Sequence, residues 1–197
     1  MPDSPSPVPA VKLANPAPLG LAGFGLTTVV LCALHAGLIP TDAVNAVVPL
    51  AFAFGGVAQI IAGTLEFRTG NTFGMVAFTS YGLFWWWFAL LQWTIHAGWL
   101  TAPSAASVGF VLLMWGVFTG LMWIVSFRLS KAVWSIFLLL TITFFLLAAA
   151  EFGHITDRPG GWFGLATGVD ALLVAFLEIL NATAGREVVS LGRPMVS

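Results

Sequence analysis

Residues 15–24 read Asn-Pro-Ala-Pro-Leu-Gly-Leu-Ala-Gly-Phe, and here a polar, proline-rich tail turns into the first long apolar run. Asn15 is a strong N-cap, because an asparagine side-chain oxygen accepts a free backbone N–H of a first helical turn. Proline is tolerated at the first helical position, since its missing N–H would have no partner there. The stretch therefore predicts a helix that starts at Asn15. It would leave free N–H groups at the positive end of its dipole, where small anions bind.

Glycines recur along the apolar runs at positions that bring backbones together. Three of them, Gly20, Gly23 and Gly25, remove side chains from successive turns of the first helix, so we expect another element to pack closely against it. Glycines spaced by four residues, which allow helices to approach closely in a bilayer, occur again further along the chain. They are Gly116 with Gly120, and Gly160 with Gly164 and Gly168. Packing within one protomer and packing between protomers both fit this spacing.

The composition is that of a protein built to lie mostly in lipid. Of its 197 residues, 59% are hydrophobic and 8% are charged, and the mean hydropathy is +0.98. Soluble domains carry about 25% charged residues. The net charge of −1 argues against nucleic acid as a partner, because that partner requires a concentrated basic surface. The single cysteine, Cys32, allows no internal disulfide.

Six apolar runs are long enough to cross a bilayer, which takes about 20 helical residues. Turn and capping residues separate them, as at Pro40 to Asp42 and at Arg68 to Asn71. The predicted spans are Leu19–Leu38, Val44–Phe67, Thr72–Ile95, Ala105–Phe127, Ala132–Glu151 and Trp162–Ala182. We therefore predict an all-α integral membrane protein with six transmembrane helices. The short connections after the second and fourth helices make each of these helices an antiparallel neighbour of the next.

Basic residues are distributed unevenly between the two sides of such a protein. Cytoplasmic loops of membrane proteins are enriched in Lys and Arg. One side would carry Lys12, Arg68, Arg128, Lys131, Arg186 and Arg193, and the other only Arg158. This distribution predicts that both termini are cytoplasmic. The chain then divides into a disordered, proline-rich tail at 1–14, a six-helix transmembrane domain at 15–184 and a cytoplasmic C-terminal tail at 185–197.

The opening decamer is followed by three further blocks with a recognisable order and spacing. The blocks are Phe54-Gly-Gly-Val-Ala-Gln59 with Ala62-Gly-Thr-Leu-Glu66, Asn71-Thr-Phe-Gly74 with Thr79-Ser-Tyr-Gly82, and Gly161-Trp-Phe-Gly164 with Glu178-Ile-Leu-Asn181. Together they resemble the acetate uptake transporter family, the succinate–acetate permeases. The match runs from Lys12 to about Arg186. It therefore covers nearly the whole chain.

This resemblance implies a ring-shaped homohexamer with a pore through each protomer. The pore would be pinched by three apolar or aromatic side chains. By motif, two of them are Phe24 and Tyr81, and the third is Leu140, placed by counting back from Leu146-Leu147. An apolar constriction excludes hydrated ions by dewetting, whereas a small acid with a methyl tail can pass.

No lysine or arginine lies in the middle of a span, so a permeating carboxylate would find no fixed cation. Backbone N–H groups, hydroxyls and amides would have to hold it, or it would cross partly as the neutral acid. Most hydroxyls in membrane helices bond their own backbone, whereas an amide without a partner is costly in hydrocarbon. Amides can also join helices. The candidate substrate-binding residues are Asn15, Ala17, Leu19, Thr27, Thr28, Gln59, Asn71 and Thr72.

Carboxylates inside a span are costly and indicate function by default. Glu66 lies near the cytoplasmic end of the second span, where an interfacial carboxylate close to Arg68 and a role in permeation are both open. Asp170 and Glu178 lie eight residues apart on the sixth span, and so on roughly the same side of it. Asp170 departs from the family pattern, which has a small or hydroxyl residue there. We regard all three as candidates for proton-linked groups.

The chain lacks the sequence motifs of an enzyme, such as a Gly-x-Ser-x-Gly elbow or a phosphate-binding loop. Glu151 and His154 have the spacing of a metal-binding pair, but the second pair that a metal site in a helix bundle needs is missing. We therefore expect no enzymatic activity, no metal and no cofactor.

We expect instead a multi-pass protein of the plasma membrane that transports acetate and related small carboxylates, with succinate as a further candidate. The resemblance implies proton-coupled uptake, and a symporter and a passive channel would need the same lining. One alternative is a channel for a neutral solute such as urea or ammonia, which also suits a pore without fixed positive charge. A second is a non-transporting membrane sensor or scaffold, although few residues lie outside the membrane to signal.

Overall fold

The structure, a computed structural model, describes residues 13–196 and is helical throughout its regular elements in that range. Six helices are long and apolar enough to cross a membrane. They are α1 (Ala17–His35), α2 (Thr41–Thr69), α3 (Thr72–His96), α4 (Ala105–Ser126), α5 (Lys131–Glu151) and α6 (Arg158–Ala184). The six predicted spans are thus confirmed. The largest difference is at α6, which starts at Arg158 and not at Trp162, because Pro159 fits into its first turn.

Because the helices run up and down in turn, the two ends of the described chain lie on the same face of the bundle. This face, called here the terminal face, also carries the turns at Gly70 and at residues 127–130. The opposite face, called the distal face, carries the loops at 36–40, 97–104 and 152–157. As predicted, α2 packs against α3 and α4 packs against α5. The predicted tail at 1–14 lies almost wholly outside the described residues.

The start of α1 differs from the prediction in its capping residue and in its N–H groups, and the second difference matters for anion binding. Pro16, and not Asn15, occupies the N-cap position. The helix begins at Ala17, and the side-chain oxygen of Asn15 accepts the Ala17 N–H at 3.0 Å. The N–H groups of Leu19 and Gly20 both donate to the carbonyl of Pro16, at 3.1 and 3.4 Å. The residue between Ala17 and Leu19 is a proline and has no N–H. The prediction of free N–H groups in this first turn is therefore wrong, because Asn15 and Pro16 already satisfy them.

Glycines bring α1 and α6 into close contact within one protomer. A Cβ on Gly25 would lie 2.7 Å from the carbonyl oxygen of Gly168, and one on Gly168 would lie 2.8 Å from that of Gly25. Further along the same pair of helices, Gly164 lies against the thiol of Cys32. The glycine spacing of α6 is therefore explained by packing inside the protomer.

Helix α2 changes its winding along its length, which the sequence did not predict. It is 3₁₀-helical at Thr41–Ala43, α-helical at Val44–Leu50, π-helical at Ala51–Ala58 and α-helical again at Gln59–Thr69. The carbonyl of Phe54 in the π segment lies against Gly23, where a Cβ would be 2.6 Å away. The carbonyl of Phe52 accepts the indole N–H of Trp86 at 3.0 Å. A π segment rotates the residues that follow it around the helix axis, so it determines which way Gln59 points.

The close contact of α1 with α6 can be tested by replacing Gly168. We expect Gly168→Ala to destabilise the folded protein by about 1–3 kcal/mol, because its methyl group would overpack the contact with the Gly25 carbonyl. Gly120→Ala is the matched control, since a Cβ there would lie 3.6 Å from the methyl group of Thr141, an ordinary contact. Thermal unfolding in detergent measures both. Equal stability of the two variants would contradict this account of the crossing.

Candidate permeation path

Within the part of the chain that the structure describes, one large cavity extends toward each face of the bundle. The distal cavity, of about 640 Å³, reaches His35, Pro103 and Asp157 near the distal face. The terminal cavity, of about 220 Å³, reaches Ala17 and Ser130 near the terminal face. Among the described residues, three line both cavities, namely Phe24, Tyr81 and Leu140. The structure therefore brings together the three side chains that the family resemblance implied as a constriction.

These three residues, called here the dividing ring, come from α1, α3 and α5 and are almost fully buried. Phe24 is 6% exposed, Tyr81 3% and Leu140 4%. The rings of Phe24 and Tyr81 pack with their centroids 5.8 Å apart in a tilted arrangement. The dividing ring is therefore a packed apolar layer between two hollow regions.

Tyr81 contributes its aromatic ring to this layer and its hydroxyl group to a helix contact. The Tyr81 hydroxyl lies 2.9 Å from the hydroxyl of Thr119 on α4. The Thr119 hydroxyl donates to the carbonyl of Trp115 at 2.7 Å, so Tyr81 is the donor between the two hydroxyls. Phe118 packs against the same ring, with centroids 5.9 Å apart. The phenol oxygen is thus held toward α4.

The two threonines predicted to bind substrate both donate to their own helix. Thr27 donates to the carbonyl of Gly23 at 2.8 Å, and Thr28 donates to that of Phe24 at 2.7 Å. Thr28 lines the distal cavity, whereas Thr27 is fully buried and lines neither cavity. Thr28 therefore offers the distal cavity its oxygen lone pairs but no hydrogen-bond donor.

The remaining predicted binding residues divide into those that line the terminal cavity and those that do not. Ala17, Gln59 and Asn71 line it. Leu19 and Thr72 are exposed and line neither cavity. The side-chain oxygen of Asn71 caps α3 by accepting the N–H of Gly74 at 3.0 Å.

Asn15 lines neither cavity but bonds to Glu178, one of the three predicted carboxylates. Glu178 lines the terminal cavity and accepts the Asn15 amide N–H at 2.9 Å. This bond uses an amide donor that was predicted to serve an incoming anion. It joins the start of α1 to the last turns of α6.

The other two carboxylates occupy different surroundings. Glu66 is 1% exposed, and one of its oxygens accepts the Thr69 hydroxyl at 3.0 Å. Its second oxygen has no hydrogen-bond partner among the described residues and lies beside Gly74, which lines the terminal cavity. Asp170 accepts the Ser135 hydroxyl of α5 at 2.7 Å and lines neither cavity. The three predicted carboxylates therefore do not form one cluster.

A polar pair at the mouth of the distal cavity was not predicted. His35 Nδ1 lies 3.2 Å from a carboxylate oxygen of Asp157, and both residues line that cavity. The two residues are 122 positions apart, and neither lies in a recognisable motif, so no sequence signal could have paired them. In the described part of the chain, neither cavity is lined by a lysine or an arginine. Residues 13–196 also contain no group of three or more His, Cys, Asp or Glu side chains that could hold a metal ion.

Six membrane-capable helices that enclose two cavities, divided by an apolar ring, define a membrane channel or transporter. The comparisons with known proteins agree with this class. A model of the GPR1/FUN34/yaaH family matches residues 1–189. This chain belongs to the GPR1/FUN34/yaaH family.

Individual relatives cover nearly the same length. The succinate-acetate/proton symporter SatP of Escherichia coli (strain K12) is 40% identical over 186 residues, which are 92% of this chain and 96% of that protein. An uncharacterized protein of Methanothermobacter thermautotrophicus is 43% identical over 186 residues, 90% of each chain. A solved structure described as that of the bacterial acetate channel SatP matches with a TM-score of 0.87 and 40% identity, covering 92% of this chain and 100% of that one. The predicted family and the multi-pass plasma-membrane location are thereby confirmed.

Proposed function

We propose that this chain carries acetate and related small carboxylates, succinate among them, across the plasma membrane. The relatives named for acetate support the substrate class, because the similarity to them spans nearly the whole chain. The observation that carries the proposal is that Phe24, Tyr81 and Leu140 line both cavities. The route runs from one cavity through the dividing ring to the other, within a single protomer.

The dividing ring would act as the gate. Its surface is apolar, so a hydrated ion would lose water there without finding replacement ligands. A small carboxylic acid has a methyl tail that matches this surface. Passage would then need only a small outward movement of Phe24 or Leu140, since Tyr81 is held by its hydrogen bond to Thr119.

The terminal face would be cytoplasmic. Arg68, Arg128, Lys131, Arg186 and Arg193 lie at this face among the described residues, whereas Arg158 lies at the distal face. Lys12, which also entered the prediction, is outside the described residues. With this orientation the distal cavity faces the outside, and the terminal cavity is the exit during uptake.

The proposed binding residues follow the cavities. Ala17, Gln59 and Asn71 would contact substrate in the terminal cavity, and Thr28 would do so in the distal cavity. Asn15 would act through its bond to Glu178. The predicted roles of Leu19, Thr27 and Thr72 gain no support from their positions, since none of these residues lines a cavity.

Of the three candidates for proton-linked groups, Glu178 has the position that best fits such a role. Glu178 lines the terminal cavity and accepts a hydrogen bond from the Asn15 amide. Asp170 lies outside both cavities, bonded to Ser135. A change in protonation at Glu178 would therefore be felt by a substrate in the cavity, whereas one at Asp170 would act only through the contact of α5 with α6.

We also propose that the protomers assemble as the homohexamer implied by the family resemblance. Helices α4 and α6 each leave an exposed apolar stripe that neighbouring protomers and lipid tails would cover. The stripe on α4 contains Phe110, Met114, Val117 and Leu121, and that on α6 contains Val169, Leu173 and Phe176. The pore itself needs no second copy, because one protomer supplies both cavities.

Uptake of labelled acetate by proteoliposomes tests the proposed function. Vesicles that contain the protein should take up acetate faster than protein-free vesicles, and unlabelled acetate should compete. Labelled urea serves as the comparison solute, since a neutral-solute channel would pass urea and would not be inhibited by acetate. An acetate rate equal to that of protein-free vesicles would contradict acetate transport. If urea uptake were also no faster than in protein-free vesicles, a sensor or scaffold would remain as the explanation.

Cysteine labelling tests the proposed orientation in intact cells. Thr101→Cys places a thiol in the distal loop at 97–104, and Arg186→Cys places one beyond the end of α6 on the terminal face. A membrane-impermeant maleimide should label the first variant and spare the second, because only the first thiol would face outward. The native Cys32 is buried and gives the background. The reverse labelling pattern would contradict the orientation.

A further inference from the structure

Beside the terminal cavity, Gln59 carries a buried polar atom without a partner in the described part of the chain. Its side chain is fully buried, at 0% exposure, and it lines the cavity on the same side of the dividing ring as Glu178. The amide nitrogen donates to the carbonyl of Gly55 at 2.7 Å. The amide oxygen has no hydrogen-bond partner among the described residues. A buried polar atom without a partner destabilises the folded state, so it favours any occupant that supplies one.

The orientation of this amide is determined by its neighbour. The Gly55 carbonyl can only accept a hydrogen bond, so the atom facing it must be the nitrogen. Turning the amide over would place two oxygens against each other. The atom that remains, Oε1, is therefore an acceptor that requires a donor from whatever occupies the cavity.

The other polar groups that line the terminal cavity favour a neutral occupant. Glu178 adds a second acceptor to the lining, and the unpartnered oxygen of Glu66 lies behind Gly74. The lining also contains two neutral donors, the amide of Asn71 and the hydroxyl of Ser130, but no lysine, arginine or histidine in the described part of the chain. A carboxylate anion would bring two further acceptors to this site. A neutral carboxylic acid brings one O–H donor and one carbonyl acceptor.

We propose that the terminal cavity binds its substrate as the neutral carboxylic acid, whose O–H group donates to Oε1 of Gln59. This inference rests on the proposed transport of small carboxylates and specifies the chemical form that is bound. The carboxylate is protonated in the solution from which it enters the path. After the neutral acid has left the protein on the other side, it ionises and releases that proton. One proton therefore crosses with each substrate molecule, and no separate proton-carrying residue is needed.

The binding form determines which small molecules compete with acetate. Acetamide is neutral at all working pH values and carries N–H donors on a group of similar shape. Trifluoroacetate stays ionised and offers acceptors alone. In proteoliposomes that take up labelled acetate, we expect acetamide to inhibit and trifluoroacetate at the same concentration to have no effect.

The pH dependence gives a second readout on the unmodified protein. Carboxyl groups titrate near pH 4, so between pH 6 and 7 the neutral fraction falls about tenfold. The half-saturating concentration of total acetate should rise by about this factor, whereas the same value expressed as neutral acid should stay constant. A constant value for total acetate would overturn the inference.

The residue itself is tested by Gln59→Met, which keeps the volume and removes the acceptor. We expect the KM for acetate to rise about tenfold, the effect of losing one hydrogen bond to a buried acceptor, and acetamide inhibition to be lost. The control is Asn45→Met, which replaces another amide on α2 that is exposed and lines neither cavity. This control should transport like the parent protein.

The outcomes separate this inference from the proposed function. Acetate uptake that is inhibited by trifluoroacetate and insensitive to acetamide would overturn neutral-acid binding and leave transport intact. Unchanged acetate KM and acetamide inhibition in Gln59→Met would remove Gln59 from the site. Absence of acetate uptake by the unmodified protein would instead contradict the proposed function. If Gln59→Met does not fold, the competition and pH experiments still decide the question.

Discussion

The close packing of α1 against two other helices is the constraint on which the permeation path depends. Gly23 meets the π segment of α2 at the Phe54 carbonyl, and Gly25 meets α6 at Gly168. Phe24 lies between these two contacts and faces both cavities. Any side chain at either glycine would move α1 and, with it, the phenylalanine of the dividing ring. The position of the proposed gate is thus a consequence of backbone-to-backbone contact.

The lack of fixed positive charge governs the chemistry of the path. Donors at the start of α1 are already used by Asn15 and Pro16, and the Asn15 amide is used by Glu178. Gln59 lines the terminal cavity, and its side-chain atom without a partner among the described residues is an acceptor, Oε1. A site of this kind discriminates against an anion and in favour of a molecule that brings its own proton. Proton-linked uptake then follows from the form of the substrate, with Glu178 as a further acceptor in the same cavity.

Much of this arrangement could be predicted from the sequence, and the exceptions share a cause. Apolar run lengths and turn residues predicted the six helices, and the family resemblance implied Phe24, Tyr81 and Leu140 as neighbours. The π segment of α2 was not predicted, because helical pattern and propensity do not distinguish its winding from that of an α-helix. The pairs His35–Asp157 and Ser135–Asp170 were missed because they join residues far apart in the chain without a motif. The expectation of free N–H groups after Asn15 was wrong, because whether an N–H group finds an acceptor depends on local backbone geometry and not on residue type alone.

The central claim is that the dividing ring decides what passes, and substitution of its aromatic member tests this most directly. Phe24→Leu widens the ring, whereas Phe118→Leu changes an aromatic residue that contacts Tyr81 and lines neither cavity. The measurement is the ratio of butyrate to acetate uptake in proteoliposomes. The account predicts an increase of about tenfold for Phe24→Leu, in line with the discrimination that one steric contact provides, and no change for Phe118→Leu. The parental ratio in both variants would contradict it.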